Sequence, residues 1–481
     1  MTTTPRTRRA ALWSLSLSVA TAGLLSACGG ADTATSAPAT SAPAPTTPPA
    51  PAPAPTPVPS PSPSPSPSPA PSPAPTGAVT YYFSDCQSNA SPGCVAGNNA
   101  NAGTSASAPK RTLAGINLDT LPAGSRLLFA RGGAWTGFNV QVHNLNVTAA
   151  APLVFDSYAP PWGGTARPWL VSGGAFYAFQ TSHFGRTEDS GGYVIRNLKL
   201  DGARAAGQWG IHLRNLSHDI LIENLEITGF ELGLHFQNDS PIGNVTVRNN
   251  LIHRNSAMGM LGSSVNLTFE NNTFEANNFS GSGFNHAIYL GGHGRNGVIR
   301  NNTFLRNSVC TVAPCADGGA VDADTCRGGN VTVHGQWDGL LIEGNTIEQT
   351  AGVGTCYGVS ITPGYTSAEF FRRVVVRGNT VVNVGCGICV GAANAPLVEN
   401  NRQFNTQARD TTPAVLGAHV DTPGAGGDDI DGGGIVRNNV LCNTFAGQNN
   451  QFLLAVRAGS YTDSGNVIRS GADASTGPCA R

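Results

Sequence analysis

Between residues 193 and 440 one short pattern recurs: apolar residues at alternate positions, a charged residue, Asn or Gly, often a second Asn, then a further apolar residue. Its copies are Ile195-Arg196-Asn197, Ile222-Glu223-Asn224, Val247-Arg248-Asn249, Phe269-Glu270-Asn271, Ile299-Arg300-Asn301, Ile342-Glu343-Gly344, Val376-Arg377-Gly378, Val398-Glu399-Asn400 and Val436-Arg437-Asn438. Alternation over a few residues, bounded by Asn and Gly, has the period of a strand and not of a helix. The shortest interval, Arg248 to Glu270, is 22 residues, and recurrence on that scale predicts a solenoid.

The charged position sharpens the prediction. In chain order it reads Arg, Glu, Arg, Glu, Arg, Glu, Arg, Glu, Arg. Equivalent residues on successive coils of a parallel solenoid stack about 4.8 Å apart. Like charges would repel there and opposite charges attract. The alternation therefore predicts one copy per coil with the copies in register. The interval from Asn301 to Gly344 becomes one coil carrying a large excursion. Asn suits the position after the charge because it tolerates left-handed backbone, and stacked Asn side chains at an inward turn can bond coil to coil.

A second strand follows in each coil, as in Gly210-Ile211-His212-Leu213, Gly233-Leu234-His235-Phe236, Ala287-Ile288-Tyr289-Leu290, Gly358-Val359-Ser360-Ile361 and Gly387-Ile388-Cys389-Val390. The set resembles the right-handed parallel β-helix of the pectate-lyase-like superfamily over most of residues 77–481. That resemblance implies an all-β solenoid of about nine to twelve coils. It also implies an N-terminal cap, with residues 114–121 as a short capping helix over an otherwise exposed edge.

The first 76 residues read differently. Arg6, Arg8 and Arg9 precede an apolar run from Ala10 to Leu25, the layout of a signal peptide. Its end, Leu25-Ser26-Ala27-Cys28, resembles the lipobox of bacterial lipoproteins, in which the cysteine becomes the lipidated mature N-terminus. Gly29 after Cys28 implies, by that family's sorting rule, an outer-membrane lipoprotein. Three parts follow: a signal peptide at 1–28, a linker at 29–76 and a β-helix domain at 77–481. The linker is nearly all Ala, Pro, Ser and Thr. Such a segment favours polyproline II at about 3.1 Å per residue, a spacer on the order of 140 Å if extended.

Composition narrows the functions. With 28 Lys+Arg against 29 Asp+Glu and only 12% charged residues, no basic surplus exists to meet a nucleic-acid backbone. The 40% hydrophobic content suffices for a large core, and 60 glycines favour many turns. Of 11 cysteines, ten remain after Cys28, an even number in an exported chain, which predicts disulfides. Cys86/Cys94, Cys310/Cys315 and Cys386/Cys389 are close in sequence; Cys326, Cys356, Cys442 and Cys479 are placed to pair across coils or at the end. Finger-like zinc spacing is lacking, and Cys386-Gly387-Ile388-Cys389 has no βαβ context for a redox role.

Outward positions of the second strands predict a column of His212, His235, Leu261, Tyr289, Asp322, Ser360 and Cys389, with Arg214, Gln237, Ser263, Gly291, Asp324, Thr362 and Gly391 two residues on. The column centres candidate chemistry on His286, Tyr289, Asp322 and Asp324. Asp322 and Asp324, two strand rises or about 6.7 Å apart, suit calcium ligation together with Asp317, and equally an inverting hydrolase pair. His286 or Tyr289 suits the base that removes a proton beside a uronic-acid carboxylate, with calcium or Arg295 neutralising charge. His212 and His235 are placed to contact sugar hydroxyls, and Trp209 and Trp337 to stack on sugar rings or anchor loops. The acidic run at 421–431 reads as a loop. Gly292-His293-Gly294 resembles a polygalacturonase motif but lacks its companions. Signature stretches of mannuronan epimerases and pectate lyases are missing too.

The expectation is a monomeric, lipid-anchored protein of the cell envelope acting on an acidic polysaccharide by β-elimination, with calcium assistance. The alternatives are an inverting glycoside hydrolase and a non-catalytic polysaccharide-binding or adhesion module.

Overall fold

The structure, a computed structural model, describes residues 77–173, 176–214, 216–237, 242–315, 327–349, 356–364, 369–384, 386–391, 393–406, 414–418, 432–444, 450–453 and 461–481. The chain winds as a parallel β-helix with three sheets of 14, 12 and 11 strands. One coil shows the plan: Ser217–Glu223 belongs to the first sheet, Glu226–Thr228 to the second and Leu232–Phe236 to the third. Each pairs in parallel with its counterpart one coil later, Gly243–Arg248, Leu251–His253 and Met258–Gly262. Alternate residues such as Ile220, Ile222, Ile227, Leu234 and Phe236 turn inward and are fully or almost fully buried.

The charge column is in register from end to end. Glu223 pairs with Arg196 and Arg248, Glu270 with Arg248 and Arg300, Glu343 with Arg300 and Arg377, and Glu399 with Arg377 and Arg437. Within it, each arginine closes onto the glutamate of the preceding coil: Arg248–Glu223 at 2.7 Å, Arg300–Glu270 at 2.6 Å, Arg377–Glu343 at 2.8 Å and Arg437–Glu399 at 2.7 Å. Asp156 extends the series upward, bound to Arg196 at 2.7 Å. The pairing of Arg300 with Glu343 confirms that the long interval is a single coil. Its excursion leaves after Thr303–Leu305 in the second sheet and returns at Gly329–Val333 in the third.

The asparagines divide the work between two neighbours. The first one bends the chain: Asn197, Asn224, Asn249, Asn271, Asn301, Asn400 and Asn438 have φ between 50° and 60°, and Gly344 and Gly378 take the same turn at 64° and 63°. From Asn249 onward the inward ladder belongs to the residue after it, beginning at Asn250, whereas buried Leu198 and Leu225 follow Asn197 and Asn224. Asn302 shows the pattern. Its Nδ2 donates to Phe269 O and Asn345 Oδ1, both at 3.0 Å, while its Oδ1 accepts from the backbone N and Nδ2 of Asn272, both at 2.9 Å. Both donors and both lone pairs of a buried amide are thereby used. The ladder runs on through Asn345, Asn379, Asn401, Asn439 and Asn466. A second buried ladder, Asn255–Asn277–Asn307–Asn330, lines the bend toward the third sheet.

The N-terminal cap differs from expectation. The predicted helix at 114–121 shrinks to one 3-10 turn, Leu118–Thr120. Gly115 sits at φ 80°, and Pro122 follows the turn. Sideways bonds engage the rest: Asn144 Nδ2 reaches Leu118 O and Leu121 O, and Asp119 accepts from His143 N. A carbonyl bound by another segment is not available to an i→i+4 ladder. Cysteine pairs join Cys86–Cys94, Cys310–Cys315, Cys386–Cys389 and Cys442–Cys479, and Cys356 is also disulfide-bonded.

Core amides should outrank surface ions here. Asn302→Ala is expected to cost about 2 kcal/mol or more, because it strands buried backbone and amide groups. Glu343→Gln should cost less than about 0.5 kcal/mol, as for an exposed pair. Urea unfolding of the two variants checks the ranking; equal losses would contradict it.

Candidate functional site

Side chains on the outer face of the third sheet form columns, because its strands are short, parallel and in register. His212 pairs with Gln180 and His235, His235 with Leu261, Leu261 with Tyr289, Tyr289 with Thr332, Thr332 with Ser360, and Ser360 with Cys389. The sequence reading was correct along this column except at one rung. Thr332, not Asp322, stands between Tyr289 and Ser360. The alternation in Gly329-Asn330-Val331-Thr332-Val333 marks that strand in the sequence, but the nearby carboxylates drew the assignment into the excursion. Asp317, Asp322 and Asp324 lie outside the described residues, as do Cys28 and the run at 421–431.

One step beyond Thr332, the column two residues on reaches His334, a residue the sequence reading passed over for the same reason. The structure brings it to Tyr289 and His286. The Tyr289 ring lies 5.3 Å from His286, nearly parallel at 11°, and 5.5 Å from His334. His286 is buried at the strand start, in register with Gly329, and its Nδ1 meets no partner. His334 is bound through Nδ1 to the Thr362 carbonyl, which makes Nε2 the basic nitrogen of the neutral ring. Glu369 stands 4.0 Å from His334 Nδ1 and is held by the backbone N–H groups of Gly335 and Gly364 at 2.8 and 2.9 Å.

Burial pushes His286 down to about 3, with His334 adding a smaller push in the same direction. Burial also lowers His334, but the Thr362 carbonyl and Glu369 act against it. Both imidazoles are held below the ordinary value; at His334, unlike His286, the Thr362 carbonyl and Glu369 offset part of the effect of burial. Further along, His212 and His235 stack at 4.8 Å, with Trp209 edge-on to both at 4.7 and 4.4 Å. Burial, with His235 and Arg214 next in effect, sets His212 at about 3. Near neutral pH the His212 and His286 rings are uncharged groups fit to meet hydroxyls.

Other predicted residues are placed elsewhere. Arg295 lies on the first sheet, in register with Val265 and Asp338, and its charge acts on Asp338. Trp337 is fully buried beneath Gly294, where an added Cβ would come within 2.3 Å of its ring, so it anchors packing and meets no sugar. Among the described residues, no group of three or more His, Cys, Asp or Glu is arranged to hold a metal. None of their helices is long and apolar enough to cross a membrane.

Comparison with known proteins agrees on the architecture. A family model described as the right handed beta helix region matches residues 186–403. The fold is a right-handed parallel β-helix, as its resemblance in sequence implied. Similar solved structures include a lacto-N-biosidase from Eubacterium ramulus, at 14% identity, covering 82% of this chain and 68% of that one, with a TM-score of 0.40. An alginate lyase from Paenibacillus sp. is 14% identical, covering 73% and 94%, with a TM-score of 0.37. A pectate lyase is 16% identical, covering 84% and 82%, with a TM-score of 0.39. No curated protein matches the chain in sequence.

The buried imidazoles predict an acid-sensitive fold. His212 and His286 have folded values near 3, below the ordinary 6.5 that an unfolded chain presents. Above about pH 6.5 both states are neutral and stability is intact. As pH falls toward 3 the unfolded chain binds protons first, and stability drops by up to ~1.4 kcal/mol per pH unit for each ring. Urea unfolding at pH 7.5 and 5.5 checks this. His286→Gln should show a smaller loss between the two pH values than the wild type, and an unchanged difference would contradict the assignment.

Proposed function

We propose that this chain is an exported, lipid-anchored protein of the cell envelope that cleaves an acidic polysaccharide by β-elimination on the outer face of its third sheet. The supporting observation is the stack of His286, Tyr289 and His334 on one exterior face, continued by His212 and His235 in register. A linear polymer lying along the solenoid axis would meet this column rung by rung.

The chemistry needs a base, an acid and neutralisation of the sugar carboxylate. His334 Nε2 takes the proton from C5 of a uronic-acid residue. The electron pair of that C–H bond forms the C4–C5 double bond, and the C4–oxygen bond breaks. Tyr289 gives its phenolic proton to the departing oxygen. Transfer of the proton from the His334 imidazolium to the Tyr289 phenolate restores both groups. His286 packs against the Tyr289 ring and fixes its position; its depressed basicity suits that role better than the base role expected from sequence. Asp317, Asp322 and Asp324 would hold a calcium ion, which would supply the neutralisation of the sugar carboxylate.

Incubation of the purified chain with a panel of uronic-acid polymers tests the reading. New ultraviolet absorbance from unsaturated ends is expected, reduced by about 10²-fold or more in Tyr289→Phe and His334→Gln. Chelation should slow the reaction if calcium neutralises the carboxylate. New reducing ends without absorbance would replace elimination with hydrolysis by Asp322 and Asp324. Retention on the polymer without turnover would leave a binding or adhesion module.

A further inference from the structure

Four coils of the third sheet, from Tyr177–Thr181 to Met258–Gly262, lie on the N-terminal side of Tyr289, and the reaction above does not use their outer edge. There a cleft of about 350 Å³ is lined by Ser182, His183, Phe184, Arg186, Arg214 and Gln237. Arg214 stands two residues past His212 in the outward series. Its Nε lies 3.4 Å from Gln237 Oε1 on the next coil, and its guanidinium sits 5.0 Å from the centre of the Phe184 ring. Phe184 is 87% exposed.

The arginines of this cleft differ from those of the charge ladder. On the ladder every arginine from Arg248 to Arg437 meets a glutamate within 2.8 Å. Among the described residues, Arg214 and Arg186 form no ion pair. The nearby acids make their contacts elsewhere: Asp119 binds His183 Nε2 at 2.7 Å, and Glu188 accepts from Thr187 N at 3.2 Å and lies 3.8 Å from His143, with the charge of Arg186 acting on it from beyond contact. Asp189 is exposed on the same loop. Two guanidinium groups that form no ion pair in contact among the described residues, beside an exposed aromatic ring, form a site for a flat ligand carrying a negative charge. Arginine supplies paired donors to a carboxylate or sulfate, and the ring supplies apolar area.

We propose that this cleft is a binding subsite for an anionic sugar residue, its acidic group held by Arg214 and Arg186 and its ring lying on Phe184. The inference rests on the reading above in that one polymer runs along the face. Arg214 and Gly291, which occupy the same column, are three coil rises apart, or roughly 14 Å. A chain that fills both places therefore spans several sugar units, and long substrates gain a contact that short ones lack.

Calorimetric titration of the purified chain tests the subsite without requiring turnover. The probes are long uronate oligosaccharides, the same molecules with carboxyl groups reduced, and sulfated oligosaccharides of equal length. Arg214→Gln and Arg186→Gln should each weaken binding of an anionic probe about tenfold or more and leave the reduced probe unaffected. Whichever anionic probe responds identifies the substituent. Phe184→Ala should weaken the anionic and reduced probes alike. Unchanged anionic binding in both arginine variants overturns the subsite, as does wild-type binding of the reduced probe equal to that of the anionic ones, or binding of none. Tyr289→Phe should retain the arginine-dependent binding. Arginine-dependent binding without cleavage leaves the subsite standing while the elimination reading fails. Cleavage with arginine-independent binding has the opposite outcome.

Discussion

At each bend between the first and second sheets, the backbone must turn inside an apolar core without abandoning its N–H groups. From Asn250 to Asn466 a buried asparagine ladder meets that constraint, while buried Leu198 and Leu225 fill the same position in the two coils before it. As at Asn302, the amide accepts a backbone N–H and a side-chain N–H from the preceding coil, and donates to a carbonyl of that same coil and to the amide oxygen of the next. Leu198 and Leu225, buried at the equivalent position, have no side-chain donor or acceptor to make these four bonds. A coil that slipped by one residue would lose them at once, so the ladder sets register as well as stability. The left-handed asparagine or glycine just before it makes the tight corner that aims the amide inward. From Asn250 onward the outer faces share the alignment that this interior ladder sets.

That alignment turns distant sequence positions into neighbours. His212, His235 and Tyr289 are separated by one to three coils in the chain and share one column in space. The same geometry sets His334 against Tyr289 and holds Glu369 behind it. The side chains proposed as acid, base and contact groups thus come from separate coils, each on or next to a strand of the third sheet. A polymer is the ligand whose own repeat matches such a surface. The two ends of the face also differ in electrostatics. Neutral imidazoles lie at both ends, His286 beside Tyr289 and His212 near Arg214, and the Arg214 end adds two guanidinium groups.

The architecture was largely legible from residues alone, because alternation of Arg and Glu has physical meaning only when the copies stack. The corner asparagines were legible for the same reason. Assigning the inward ladder to them was one position early: the pattern shows both members of Asn301-Asn302, and only packing tells which one points in. The capping helix failed because Gly115 and the lateral bonds from Asn144 compete with helix formation, and a tertiary partner is invisible in local sequence. The site was legible up to the long excursion. Three carboxylates at 317–324 look more chemical than the plain strand at 329–333, and choosing them put Asp322 where Thr332 stands. His334 was lost by the same step, and Arg295 went to the wrong face because a two-residue turn carries the chain onto another sheet.

The direction of the ion pairs has one more consequence. Each arginine of the ladder grips the acid before it, so the exterior is divided into two-coil units, Glu223 with Arg248, Glu270 with Arg300, and onward. Removing or duplicating a single coil would juxtapose two cations or two anions. Removing or duplicating two would preserve the sequence of signs. An even change in the number of ladder coils thereby keeps the alternation of signs, and an odd change interrupts it at one exposed contact.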